Sequence, residues 1–287
     1  MSDLASFEIS GSLAISPGLG GLPVVRINSP WSSAEIYLHG AHVTAFQKNG
    51  EAPLLFMSGA SHFEPGMPIR GGIPIIFPWF GARDGHPAHG TARIAAWELF
   101  ATSVLPDQSV QASLRLPDDG PLAATYHVTV GASLRLELVV ENSAETEQSF
   151  ETCLHTYFHV GDIDEVSIHG LSGNTYLDKV LTGNHVQAEE PLLITGETDR
   201  VYQDSVTPVE ILDPTVRRRI RIGKSGSRST VVWNPWIAKS KAMPDFGDDE
   251  YPHMVCVESG NVGPDRVTLA ASEQATLTVE IFSGPID

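Results

Sequence analysis

The segment SLRLELVVEN, residues 133–142, constrains the fold more than any other stretch of the chain. Leu134, Leu136, Leu138 and Val140 alternate with Arg135, Glu137 and Val139. A two-residue period is that of a strand with one buried face. Strand-like runs recur in AEIYLHG, QASLRLP, TYHVTVG, EVSIHGL, RRRIRIG, STVVWNP, HMVCVES and ATLTVEIFSG. Sustained helical periodicity is hard to find, and 26 glycines and 20 prolines are scattered throughout, which interrupts helices and punctuates strands. Turn chemistry separates the runs at PDDGP (117–121), LSGN (171–174) and LDPT (212–215). No internal repeat, low-complexity tract or long linker divides the chain. These features predict an all-β protein, a single large antiparallel β-sandwich domain over residues 1–287 with long loops. With 41% hydrophobic residues in 287, it can bury a large core.

The formal net charge of −17 argues against nucleic-acid binding, which leaves a basic footprint. It would also repel an anionic metabolite at long range, so an anion site requires a local arginine cluster. The N-terminus MSDLASFEIS lacks the basic region and apolar run of an export signal. The most apolar stretch, GIPIIFPWFG, is too short and too rich in proline to cross a membrane. Cys153 and Cys256 are the only cysteines, too few for a disulfide framework, and are expected as reduced thiols in a cytoplasmic protein. Should both face one pocket they could be close, though closeness is not a bond.

Several familiar motifs fail. GLGG near Gly18 lacks a third glycine at dinucleotide spacing and reads as a turn. GKS at 223–225 has Arg218 where a phosphate loop needs its first glycine. No G-x-S-x-G occurs. His155 and His159 have zinc-like i,i+4 spacing without a helix to stack them, and HPAH (86–89) comes without a carboxylate or thiolate. Neither a metal nor a cofactor is expected. The run Arg217, Arg218, Arg219 and Arg221 reads as a solvated strand face.

Four segments concentrate polar chemistry in apolar or glycine-rich settings. In IRGGIPIIFPWFG (69–81), Arg70 precedes two glycines that would let a ligand approach the backbone. In PAHGTARIAAW (87–97), His89 and Arg93 flank Gly90. In VCVESGNV (255–262), Glu258 ends an apolar strand, where a carboxylate is costly unless paired or used. In ETCLHTYFHV (151–160), a strand would place His155, Tyr157 and His159 on one face and Thr156 and Phe158 on the other. Each has a plainer reading: Glu258 as a salt-bridge partner, Arg70 and Arg93 as counterions to the 35 acidic residues.

Taken together, RGGIPIIFPWFG, HGTAR followed by Trp97, HTYF, TDRVY (198–202), VVWNPW (231–236) and VCVESGNV occur in the family order of the aldose 1-epimerase superfamily over about residues 20 to 284. The pattern resembles its hexose-6-phosphate mutarotases. That resemblance implies a galactose mutarotase-like sandwich that interconverts sugar anomers, with His155 as general acid and Glu258 as general base, on opposite sides of the reacting centre. It implies His89 against the sugar, Arg70 and Arg93 as a phosphate-binding pair, and a sugar hydroxyl contact from Asp199 or Asp204; at ordinary pKa values of about 6.5 and 4.3 the acid and base can start as His⁺ and Glu⁻ if the site favours both charges. Trp79 would form a pocket wall or pack in the core. A monomer acting on a small sugar phosphate is expected. The rivals are an epimerase for unphosphorylated sugars and a non-catalytic sandwich in which Trp79, Trp233 and Trp236 form sugar platforms.

Overall fold

A computed structural model describes residues 4–117, 120–187 and 191–286. All nine strand-like runs are strands, and the pairing between strands is antiparallel. The turns at 171–174 and 212–215 are present, while the centre of the turn expected at 117–121 lies outside the described residues.

Two large sheets dominate. One is nine-stranded, with Gln274–Pro285 and Leu134–Asn142 near its middle. The other is eight-stranded, running through Thr198–Tyr202, Ser229–Asn234, Met254–Asn261 and Thr152–Leu154. A four-stranded sheet from Leu13–Pro17 to His42–Lys48 and a two-stranded ribbon complete the architecture. The alternation read at Leu134–Asn142 is real: Leu134, Leu136, Leu138 and Val140 are buried and join one core with Leu277, Val279, Ile281, Val255 and Val257. Met254–Asn261 departs from alternation, since all eight of its residues are buried. Both of its faces are covered. Val255 and Val257 pack into the core between sheets, and Cys256 and Glu258 face the other way.

Three expectations change. Arg218 is not on a solvated face: it is buried and donates to the carbonyls of Ala52, Pro53 and His159. Gly71 and Gly72 do not open the backbone to a ligand. Both have positive φ, and an added Cβ would lie 2.5 Å from the Phe56 carbonyl oxygen at Gly71 and 2.4 Å from that of Val43 at Gly72. They let the chain pass between neighbouring backbones. Finally, residues 151–160 are not one continuous strand. Thr152–Leu154 and Tyr157–His159 are separate, and the ladder opens at His155 and Thr156.

The same packing has a pH consequence. His42 is fully buried with Nε2 2.7 Å from the Gly71 carbonyl oxygen. Burial holds its pKa down to about 3. Above the ordinary value of about 6.5 the ring is neutral in the folded and unfolded chain alike. Below it, the unfolded chain takes up a proton that the fold refuses, which costs about 1.4 kcal/mol per pH unit. Melting temperature is therefore expected to fall steadily below about pH 6.5, and His42→Gln, which keeps a donor for Gly71, to flatten that slope. Parallel slopes for the two proteins in a thermal-shift series would remove the assignment.

Candidate active site

Strand register brings the expected residues together. Tyr157 pairs with Cys256 and Leu154 with Ser259, so the register is the same on both sides of the open ladder and His155 stands opposite Glu258. Cross-strand neighbours are the side chains a sheet brings closest, and His155 Nε2 lies 3.2 Å from Glu258 Oε1. Val231 pairs with Glu258, and Trp233 pairs with both Cys256 and Asp199, which puts all of them on one face of adjacent strands. That face is the floor of a cavity of about 290 Å³, lined by Arg70, His89, Arg93, Tyr157 and Asp199 among others. Such a volume lies near the lower end of small-molecule sites. A wider groove of about 690 Å³ beside Tyr37 and Phe63 gathers no comparable acid–base pair.

Local backbone chemistry fixes the walls. His89 and Gly90 both have positive φ, and a Cβ on Gly90 would sit 1.9 Å from the Phe77 carbonyl oxygen. The Gly81 N–H donates to His89 Nδ1, which leaves Nε2 as the protonated nitrogen of the neutral ring. Burial and the nearby Arg93 charge hold its pKa down to about 3. Asn234 ends its strand by bonding the carbonyls of Tyr251 and Met254, and its side-chain oxygen accepts from the Trp236 N–H. The short helix Trp236–Ala242 thus starts beside the cavity, bringing Lys239 and Met243 to its rim and Asp245 behind them.

Asp245 matters because it occupies Arg70. The carboxylate takes Arg70 Nε and Nη2 at 3.0–3.2 Å, and Arg70 Nη1 donates to the Tyr157 hydroxyl at 3.0 Å. Arg93 is different. Its Nη2 donates to the Ala88 carbonyl, its Nε is buried without a partner, and it joins no ion pair among the described residues. The two arginines are therefore not an equivalent open pair.

With this geometry in place, the comparisons decide the family. The sequence model of the family described as Aldose 1-epimerase matches residues 23–281. An Escherichia coli K12 protein provisionally named glucose-6-phosphate 1-epimerase is 36% identical over 260 residues, covering 84% of each chain. The chain belongs to the aldose 1-epimerase family. At the family level this is carbohydrate isomerase chemistry. A Salmonella typhimurium relative with the same provisional name is 34% identical over 90% of this chain and 87% of its own. A crystal structure from that organism, provisionally described as a mutarotase, superposes with a TM-score of 0.89 at 29% identity, covering 97% of this chain and 95% of that one. The sandwich is the galactose mutarotase-like fold.

Against the epimerase reading of the sequence, the structure places His155, Glu258, Arg70, His89, Arg93 and Asp199 around one cavity and leaves Asp204 outside it, paired with Arg228 at the surface. Trp79 is not a cavity wall. Its indole N–H donates to the Pro87 carbonyl and its ring meets His86 and Arg83, while Phe80 lines the cavity in its place. Of the other tryptophans, Trp233 lines the cavity and Trp236 packs on Tyr251. His159 shares the strand face of His155 but lies outside the lining. Lys179, Lys239, Tyr157 and Asp245 complete the surroundings. Lys179 sits over the Phe80 ring at 4.6 Å and 3.9 Å from Asp199, and the Tyr157 ring stacks on His155 at 4.8 Å.

The acid–base pair differs from expectation in two respects. Its members touch rather than face each other across a sugar-sized space. Their surroundings also oppose the charged forms: burial, with the Asp199 charge, pushes the Glu258 carboxyl well up, and burial, with His89 and Arg70, pushes the His155 imidazole well down. Cys153 donates its S–H to Glu258 Oε2 at 3.4 Å. A His155 nitrogen, the Cys256 sulfur and a Glu258 oxygen lie within 4.8 Å of one another and are the metal-competent group among the described residues. No helix among them is long and apolar enough to cross a membrane.

Proposed function

We propose that this protein interconverts the α and β anomers of a hexose 6-phosphate by acid–base ring opening and closure. The observation that carries the reading is the buried His155–Glu258 contact on the floor of a cavity rimmed by cations. Opening a pyranose takes a proton from the C1 hydroxyl and gives one to the ring oxygen. Both oxygens are bonded to C1, so acid and base belong side by side, as cross-strand neighbours are. The 3.2 Å contact lets the two share a proton, and the reacting form is Glu258⁻ with His155⁺. Glu258 then accepts the C1 hydroxyl proton while His155 protonates the ring oxygen, and the C1–O5 bond breaks. Rotation about C1–C2 and closure with the roles reversed give the other anomer. Each positioned group is worth about 10²–10⁴ in rate. His89, neutral and with Nε2–H free to donate, suits a sugar oxygen, and Asp199 suits a hydroxyl.

The phosphate half rests on charge. Arg70, Arg93, Lys179 and Lys239 line a cavity whose lining carboxylates are Asp199 and Glu258, in a chain of net charge −17. Such a local reversal of sign suits an anion. The provisional name of the E. coli relative points the same way. The Arg70–Asp245 ion pair is the observation that favours an unphosphorylated sugar instead, because it occupies one of the two arginines. NMR saturation exchange between anomers, run on glucose 6-phosphate and on glucose at equal enzyme, tests the reading. Exchange accelerated for the phosphate alone is expected. Acceleration of glucose alone would move the substrate to neutral sugars, and silence on both would leave a sugar-binding sandwich.

A further inference from the structure

The proposed reaction leaves Cys256 without a task. It is a fully buried free thiol two residues from Glu258 on the same strand face. Donors sharing one zinc ion at about 2.0–2.3 Å lie roughly 3–4 Å from one another. His155 Nε2 and Glu258 Oε1 are already 3.2 Å apart, and the sulfur lies within 4.8 Å of both residues' donor atoms. A modest side-chain adjustment completes the tripod. One imidazole nitrogen, one sulfur and one carboxylate oxygen suit zinc or cobalt and are a poor match for magnesium or calcium. A dication with one thiolate and one carboxylate is neutral overall, which suits a site where unpaired charge is costly. Because His155 and Glu258 line the cavity, a fourth coordination position can open toward it.

We propose that His155, Cys256 and Glu258 form a site for a thiophilic divalent cation, best matched by zinc, whose occupation blocks the acid–base pair. The blocking half rests on the functional reading above; the binding half does not. Binding displaces the Cys256 thiol proton and any proton held on the bonding atoms of His155 and Glu258. The freed lone pairs on sulfur, oxygen and nitrogen become the metal bonds, and nothing is oxidised or reduced. Cys153 remains a thiol hydrogen-bonded to the other Glu258 oxygen, an outer contact of the kind that orients a ligating carboxylate.

The test uses the full untagged chain and cobalt(II) alone. A thiolate-to-cobalt charge-transfer band should saturate at one equivalent, with the thiol proton released into weak buffer, and disappear when zinc is added. Cys256→Ser, with Cys256→Ala as a second variant, should lose the band and weaken zinc binding by more than the roughly 10–100-fold that loss of an outer contact costs; Cys153→Ser should keep the band. Absence of the band in the wild type, a result that needs no variant to fold, overturns the site, as does a band that survives Cys256→Ser. Zinc should also stop hexose 6-phosphate anomer exchange in the wild type, with Cys256→Ser resisting to roughly tenfold higher zinc. A band with zinc-insensitive turnover overturns the blocking half. A band in a protein inert toward every sugar keeps the site and removes the functional reading instead.

Discussion

Glu258→Gln is expected to lower anomer exchange on hexose 6-phosphate by about 10²–10⁴-fold, the usual worth of one positioned proton-transfer group. The amide keeps the shape of the side chain and can still meet His155 Nε2 across the 3.2 Å contact, but it cannot accept the C1 hydroxyl proton. Substrate affinity, read by titration calorimetry, should change little, because the cations proposed to hold the phosphate line other parts of the cavity. Stability should move the other way from activity. The folded-state pKa of Glu258 is raised by burial and by Asp199, so as pH rises past about 4.5 the unfolded chain loses its proton first and is favoured. Glutamine carries no such penalty. The variant is expected to melt higher than the wild type near neutrality, with the gap closing toward about pH 4.5. Wild-type turnover in the variant would remove Glu258 from the chemistry. Lost turnover with a lower melting temperature at neutral pH would make the residue a structural one.

Strand chemistry was legible because it is local. The alternation at Leu134–Asn142 reports one buried face directly, and the parity of His155, Tyr157, Cys256 and Glu258 follows from period two alone. What sequence could not give is depth. Met254–Asn261 is buried on both faces, and that burial pushes the Glu258 carboxyl up and the His155 imidazole down. Ordinary pKa values for histidine and glutamate carry neither shift. Gly71 and Gly72 read as ligand-facing because glycine beside an arginine fits a phosphate loop and a tight backbone crossing equally well; only the proximity of Phe56 and Val43 separates the two. Asp245 was illegible for a different reason. It lies in MPDFGDDE beside Asp248 and Asp249, and nothing in that stretch marks it as the carboxylate that meets Arg70, contributed by a strand turn some 175 positions earlier. Lys179 and Lys239 follow the same logic, each delivered by a loop or helix whose position depends on long-range pairing. Trp79 is neither the pocket wall nor the core residue that were the two expectations for it: the PWFG turn sends Phe80 into the cavity and Trp79 to the surface loop.

The Arg70–Asp245 pair makes Arg93 the side chain on which phosphate recognition should depend most. Arg93→Ala is expected to raise KM for glucose 6-phosphate about 10- to 100-fold, corresponding to one charge-assisted contact of about 1.5–3 kcal/mol. KM for glucose should shift by no more than about threefold, since that change carries no ionic term. The asymmetry between the arginines drives the prediction. Arg70 already holds a carboxylate through two of its nitrogens and a phenol oxygen through the third, so a phosphate gains less from it. Arg93 has a buried Nε without a partner, and burial together with Arg70 disfavours its charge. An arriving dianion relieves that repulsion, so binding is expected to be strongest where the empty site is most frustrated. Arg93→Lys keeps the charge but not the planar fork and should fall between the two. Removing a cation that the empty site holds unpaired should also cost little stability, so the variant is expected to melt within a few degrees of the wild type. Equal KM changes for the two sugars would detach Arg93 from the phosphate, and a larger change on Asp245→Asn than on Arg93→Ala would shift the anion site to Arg70.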